Sequence, residues 1–191
     1  MEPLLVLASA SARRAHILGA LGIPFRVCVS NIEELMLPGE DAAAGAERLA
    51  RAKVRAVARH EKLPVVGADT VVVCEGRILG KPASAAEAAQ MLRLLAGRTH
   101  EVVTGVCLQT GATARSGVER TSVTFSPMTE EEIAWYAASG EPLDKAGAYH
   151  VDGRGSLFVE SVAGSPSNVA GLPVRLFLRL VREAGLSLGL P

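Results

Sequence analysis

The chain predicts an α/β fold, a mixed sheet flanked by helices and gathered into two lobes. Two observations carry this. Through the first half, short apolar runs alternate with helical patterns, as strands joined by helices do. Further on, two long strand-like runs follow each other with Gly, Ala and Thr between them, which marks an antiparallel section.

The elements follow in order. "LLVLAS" reads as a short buried strand, and "SARRAHILGALG" as a helix with Ser11 as its cap and Gly22 as its stop. "FRVCVSNIEE" reads as a second strand running into an acidic turn. In "DAAAGAERLARAKVRAVARHEK", Leu49, Val54 and Val57 share one face and basic residues surround the rest, an amphipathic helix. "LPVVGADTVVVCEGRILGKP" is an apolar strand interrupted once, at Gly67-Ala68-Asp69-Thr70, and bounded by Gly76 and Pro82. "SAAEAAQMLRLLAG" carries a capping box, Ser84 with Glu87, and stops at Gly97. "HEVVTGVCLQT" and "GVERTSVTFS" form a hairpin, and "TEEEIAWYAASG" is a helix boxed by Thr129 and Glu132. The glycine-rich residues 140–156 read as a loop, "LFVESVAG" as a last strand, and "LPVRLFLRLVREAG" as a closing helix with Pro173 near its first turn. With no repeat or linker in 191 residues, a single domain over 1–191 is expected.

Composition narrows the function. Hydrophobic residues make up 49% of the chain and aromatics only 4%, so an ordinary globular core must be built from Ala, Val and Leu. Twenty basic residues balance twenty acidic ones, which argues against a nucleic-acid partner held by bulk charge. Cys28, Cys74 and Cys107 form no Cys-x-x-Cys pair and read as reduced, buried thiols. The apolar run at the start is too short for a signal peptide and has its arginines behind it. No run approaches the roughly 18 apolar residues of a membrane span. A cytoplasmic protein without a membrane partner is the expectation.

The sharpest single feature is Asp69, a lone carboxylate within an apolar strand, where an unpaired buried charge is costly. Gly67 suggests a close backbone approach or a bulge that ends pairing and turns the carboxylate into a cleft. Ser9, Arg13 and Arg14 stand at a strand-to-helix junction, where free N–H groups favour a phosphate. The plainer reading is a capped helix with solvated arginines. "GRILGKP" imitates a P-loop but is one residue short, and Pro82 stands where the magnesium-binding hydroxyl belongs, so Lys81 is not a Walker lysine. Lys81 and Lys53 each have a plainer reading as solvent-facing charge. So do Glu33 and Glu34, as a charged turn. Carboxylates converging at strand ends would suit a magnesium–phosphate site. The four histidines show no ligand spacing, and no nucleophile elbow or dinucleotide fingerprint is present.

Taken in order, "LASASARR", "VVGADTVV", "LGKP", "GRTHEVVTGV", "DKAGAYHVDGRG" and "NVAGLPV" resemble the Maf family of nucleoside triphosphate pyrophosphatases over nearly the whole chain. The resemblance implies an elongated twisted sheet with a cleft between two lobes, similar to inosine triphosphate pyrophosphatases. It also implies cleavage of a nucleoside triphosphate to the monophosphate and pyrophosphate, a divalent cation (Mg²⁺ or Mn²⁺), and often a homodimer. It assigns the proton acceptor to Asp69, the arginine pair to Arg13 and Arg14, the acidic turn to Glu34 and the two lysines to Lys53 and Lys81, with Glu34 and Asp69 as metal ligands. Beside a metal and lysines Asp69 would be a weak base, orienting a water for attack at the α-phosphorus more than removing its proton. On that view Asp69→Asn abolishes turnover with little loss of stability.

One departure stands out. The dTTP- and UTP-preferring subgroup carries Gln where this chain has Asp152, in Tyr149-His150-Val151-Asp152, while Thr70 still matches that subgroup. A carboxylate only accepts, from the N3–H of thymine or uracil or from the paired donors of guanine. As a turn residue before Gly153, Asp152 has a plainer reading. The rival for the whole chain is a nucleotide-binding regulator of septum formation with little turnover. The full set of acids and bases favours the enzyme.

Overall fold

The computed structural model describes residues 2–189. Met1, Leu190 and Pro191, the ends of the expected single domain, lie outside the described residues. In chain order the elements are β1 (Leu5–Leu7), α1 (Ala12–Ala20), β2 (Phe25–Val27), α2 (Ala42–Ala58), β3 (Val65–Cys74), β4 (Arg77–Leu79), α3 (Ala85–Leu95), β5 (Thr99–Thr110), β6 (Thr113–Phe125), α4 (Glu130–Ala138), β7 (Val159–Ala163), α5 (Pro166–Val169) and α6 (Val174–Glu183). The strands make one mixed sheet in the order β2-β1-β3-β5-β6-β7, with β4 paired to β3. β1 lies parallel to both β2 and β3, as strands joined through α1 and α2 must. β4 and β7 pair antiparallel with their neighbours.

The chain divides into two compact units. The first comprises Met1–Asp69, Thr104–Glu119 and Gly171–Pro191, and the second Thr70–Val103 and Arg120–Ala170. In the first, Leu5 and Leu7 face a cluster with Leu18 of α1 and Phe177 and Leu180 of α6. Val6 and Ala8 face the other way, onto Ala50, Val54 and Val57 of α2. Both sheet faces are covered, which is why β1 reads as an unbroken apolar run and not an alternating one. The second unit packs α3 and α4 over Val72, Val102, Val123 and Phe125.

The caps act where their side chains allow. Ser11 caps α1, Asp41 caps α2, and Thr129 with Glu132 closes a full capping box on α4. At α3 only half of the expected box forms: Ser84 accepts from Glu87 N–H, but Glu87 reaches back to Ala83 N–H at 2.7 Å. β2 ends at Val27, well before the acidic turn. The loop expected over 140–156 is wound into 3₁₀ turns at Glu141–Asp144 and Ala146–Ala148, with a third beginning at Arg154. Cys28 is only half-buried, while Cys74 and Cys107 are buried.

At Gly67 the structure decides between the two readings. β3 runs unbroken through it to Cys74, so it is a close approach and not a bulge that ends pairing. A Cβ there would meet Val54 Cγ2 at 2.8 Å and Ala50 O at 3.3 Å. The glycine lets α2 lie directly against the strand, and that approach positions the site.

Candidate active site

α2 comes onto β3 with Lys53 facing inward. Its side chain is 3% exposed by residue, and its ammonium lies 2.7 Å from Asp69 Oδ1, 2.9 Å from Glu34 Oε1 and 3.5 Å from the Ala68 carbonyl. Asp69, 5% exposed, is therefore no lone carboxylate. It answers the ammonium of a lysine sixteen residues upstream, delivered by α2. Reading Lys53 as solvent-facing is wrong, and the reason is geometric. Arg48, Arg51 and Arg55 occupy the opposite side of α2, where they line a groove of about 800 Å³ with Glu47 and Gln109. There Arg48 is held by Glu40 and Arg51 faces Glu47, so most of that charge is already compensated.

The first turn of α1 adds a second cation. Arg14, also buried, donates from Nε to the Gly171 carbonyl at 2.8 Å and from Nη1 to Ser9 Oγ at 3.1 Å. Ser9 accepts from Ser11 N–H as well, so it braces the start of α1 and the guanidinium together. Burial pushes the Arg14 guanidinium below its ordinary value, Asp69 and Glu34 pull it upward, and Arg13 adds to the fall. Ser9, Arg13, Arg14, Glu34, Lys53 and Asp69 thus share one neighbourhood of the first unit. Three cations there surround two carboxylates, which leaves an excess of positive charge for a polyanion.

The other predicted site residues belong to the second unit. Thr70 follows Asp69 on β3 and is half-buried. Lys81 is exposed just beyond β4, in a turn held by the Gly147 N–H donating to the Gly80 carbonyl at 3.0 Å. Asp152 is exposed in the loop between two 3₁₀ turns. Sequence reasoning missed Glu141 and Tyr136, which organise that loop, because neither the spacing of the glycine-rich segment nor the pattern of α4 marks them as partners. Burial pushes the Cys107 thiol up to about 11 and raises Cys74 too, so it disfavours the reactive thiolate at both.

The donor set suits a hard cation. Asp69 and Glu34 converge on one point, and Mg²⁺ is usually held by one or two carboxylates with substrate phosphates and water completing its shell. Among the described residues no group of three or more His, Cys, Asp or Glu is arranged to hold a metal. An ion here would depend on the substrate for the rest of its ligands and would compete with Lys53 for the carboxylates.

The family described as Maf-like protein matches residues 4–184. The chain belongs to the Maf family. Similar Maf relatives include proteins named dTTP/UTP pyrophosphatase from Moorella thermoacetica, 52% identical over 89% of this chain and 89% of the relative, and from Myxococcus xanthus, 50% identical over 98% and 95%. Another, from Deinococcus radiodurans, is 48% identical over 97% of this chain and 95% of its own. Among solved structures, a HAM1 protein of Coxiella burnetii covers 67% of this chain and 75% of its own at 15% identity and TM-score 0.44. A dITP/XTP pyrophosphatase of Mycobacterium abscessus covers 65% and 74% at 18% identity and TM-score 0.40. The mixed sheet, with helices on both faces of β1, is this Maf chain's own architecture.

Proposed function

We propose that this chain is a nucleoside triphosphate pyrophosphatase of the nucleotide pool, acting on dTTP and UTP as its relatives are named for doing. The observation that carries the reading is the buried Asp69–Lys53 pair, joined from its exposed side by Glu34 and set beside Arg14. A module that only binds nucleotides needs the cations but not Asp69.

In the reaction, water adds to the α-phosphorus, the bond from that phosphorus to its bridging oxygen breaks, and monophosphate, pyrophosphate and one proton are released. Asp69 orients the water and accepts a hydrogen bond from it. Lys53 holds Asp69 in place and, with Arg13 and Arg14, balances charge that moves onto the leaving pyrophosphate. A bound Mg²⁺ or Mn²⁺, held by Asp69 and Glu34, would neutralise phosphate charge and polarise the phosphoryl oxygens. On the resemblance, Lys81 also serves the phosphates, and Thr70 and Asp152 serve the base. Asp152 replaces the subgroup's Gln and accepts from the N3–H of thymine or uracil. The chain then works as one domain, in the cytoplasm and as a homodimer; no helix among the described residues is long and apolar enough to cross a membrane.

The test is pyrophosphate release from dTTP, UTP, CTP, GTP, 7-methyl-GTP, ITP and pseudouridine triphosphate, with magnesium or manganese. Turnover led by dTTP and UTP supports the reading. A purine preference overturns the base assignment alone, and nucleotide binding without turnover on any member installs the regulatory reading.

A further inference from the structure

A second polar cluster, wholly inside the second unit, surrounds the loop that carries Asp152. Its centre is Glu141. One carboxylate oxygen accepts from the Tyr136 hydroxyl at 2.8 Å and from Gly155 N–H at 3.2 Å, and the other accepts from Arg154 N–H at 3.2 Å. The Tyr136 hydroxyl, fully buried, in turn accepts from His150 N–H at 3.0 Å. The loop is therefore tied on both sides of Asp152: at His150 through the tyrosine, and at Arg154 and Gly155 directly. Gly155 is required for this closeness, since a Cβ there would lie 2.6 Å from the Tyr136 hydroxyl.

The approach to the loop is equally constrained. Ala148 is buried with φ +60, a left-handed conformation that a non-glycine residue adopts only when its surroundings impose it. Tyr149 is hydrogen-bonded to His100 Nε2 at 3.0 Å and packs edge-on against the His100 and Phe125 rings. Burial pushes the Glu141 carboxyl upward, yet the Tyr136 hydroxyl, the two amides and His150 together hold it below the usual value, so the clamp carries a full negative charge near neutrality.

We propose that Glu141 is a positioning residue for base selection: through Tyr136 and the amides of Arg154 and Gly155 it fixes the backbone that aims Asp152 at the nucleobase. This rests on the reading above that Asp152 contacts the base. The clamp's role is to make that contact pre-formed, so discrimination does not have to be offset against ordering the loop on binding.

The experiment measures kcat/KM for dTTP, UTP and CTP on the full chain and three variants, with thermal midpoints recorded for each. Glu141→Gln places an amide donor against a backbone donor and breaks at least one tie. The dTTP-to-CTP preference is expected to fall about tenfold, through KM for dTTP and with kcat nearly unchanged. Tyr136→Phe keeps the ring and removes the hydroxyl's bonds to Glu141 and His150 N–H, leaving the Arg154 and Gly155 ties, so it reports even if Glu141→Gln does not fold; a smaller loss in the same direction is expected. Asp152→Asn is the parallel arm. If its preference changes while Glu141→Gln and Tyr136→Phe lower the midpoint and scale every nucleotide alike, the clamp is structural only and the inference is overturned. If Asp152→Asn leaves the preference unchanged, the base reading fails and the inference with it.

Discussion

In the first compact unit a buried ammonium, Lys53, sits between two carboxylates; in the second, a partly buried carboxylate, Glu141, sits among hydroxyl and amide donors. Both satisfy a costly charge, but by different means. The first uses other full charges, which stay charged and act on a polyanionic substrate. The second spreads one charge over neutral groups of its own backbone, and gains geometry instead of chemistry. Removing a partner has correspondingly different consequences. Breaking a buried ion pair strands an ion, whereas breaking the clamp strands dipoles.

The largest effect expected is on turnover. Asp69→Asn should lower pyrophosphate release from dTTP by about 10²–10⁴-fold, the range of a lost water-orienting or basic group. A variant within tenfold of the parent would remove Asp69 from the reaction. The loss of stability is not negligible as the sequence suggests, because Lys53 then keeps only one carboxylate.

Next comes Lys53→Met, which leaves Asp69 buried without its partner and should cost about 3–5 kcal/mol in urea unfolding. Adding Asp69→Leu should recover most of that stability and none of the turnover. If the double variant is as unstable as the single, the damage comes from packing and not from a stranded charge.

In the second unit Tyr136→Phe should cost less, about 1–3 kcal/mol, since it orphans the His150 N–H and one Glu141 contact but no ion. A cost equal to that of Lys53→Met would erase the contrast between the two units.

The smallest effect is in pH. Burial lowers His100 from 6.5 to about 4, against a backbone contact at Arg98 that raises it. Below pH 6.5 the unfolded chain takes up a proton that the folded chain refuses until about pH 4. Stability contributed by this site is thus intact at neutral pH and falls as pH falls, by about 1.4 kcal/mol per pH unit within that window. His100→Gln should flatten the pH dependence of the urea midpoint between pH 6 and 5; an unchanged slope would place the titrating group elsewhere.

Much of this was legible beforehand where the governing interactions are local. Ser11, Thr129 with Glu132, and Gly97 mark helix ends because a cap is decided within one turn of chain. The Ser84 box was only half right, because Glu87 had two nearby amides to choose from and took Ala83. Asp69 stood out for its sequence neighbours alone. Lys53 did not: it lies four residues from both Leu49 and Val57, on the apolar face, but periodicity names no carboxylate opposite it, and a lysine among many basic residues is easily read as solvated. The 3₁₀ turns of 140–156 were illegible because the contacts that hold them, from Tyr136 at the end of α4 and from Glu141 within the segment, follow no period.

The sequence by itself determined most of the order of strands and helices, though not the separate β4 or the short α5, together with the family to which the chain belongs and which carboxylate is out of place in its strand. Those follow from nearest-neighbour chemistry and from the apolar pattern. Only the tertiary structure decided that Lys53 is the partner of Asp69, that Ser9 braces Arg14, and that Glu141 governs the loop of Asp152. Each is a contact between segments distant in sequence or unmarked by any period, and burial turns it from optional to obligatory: a charge or amide removed from water must find its partner wherever packing has placed one.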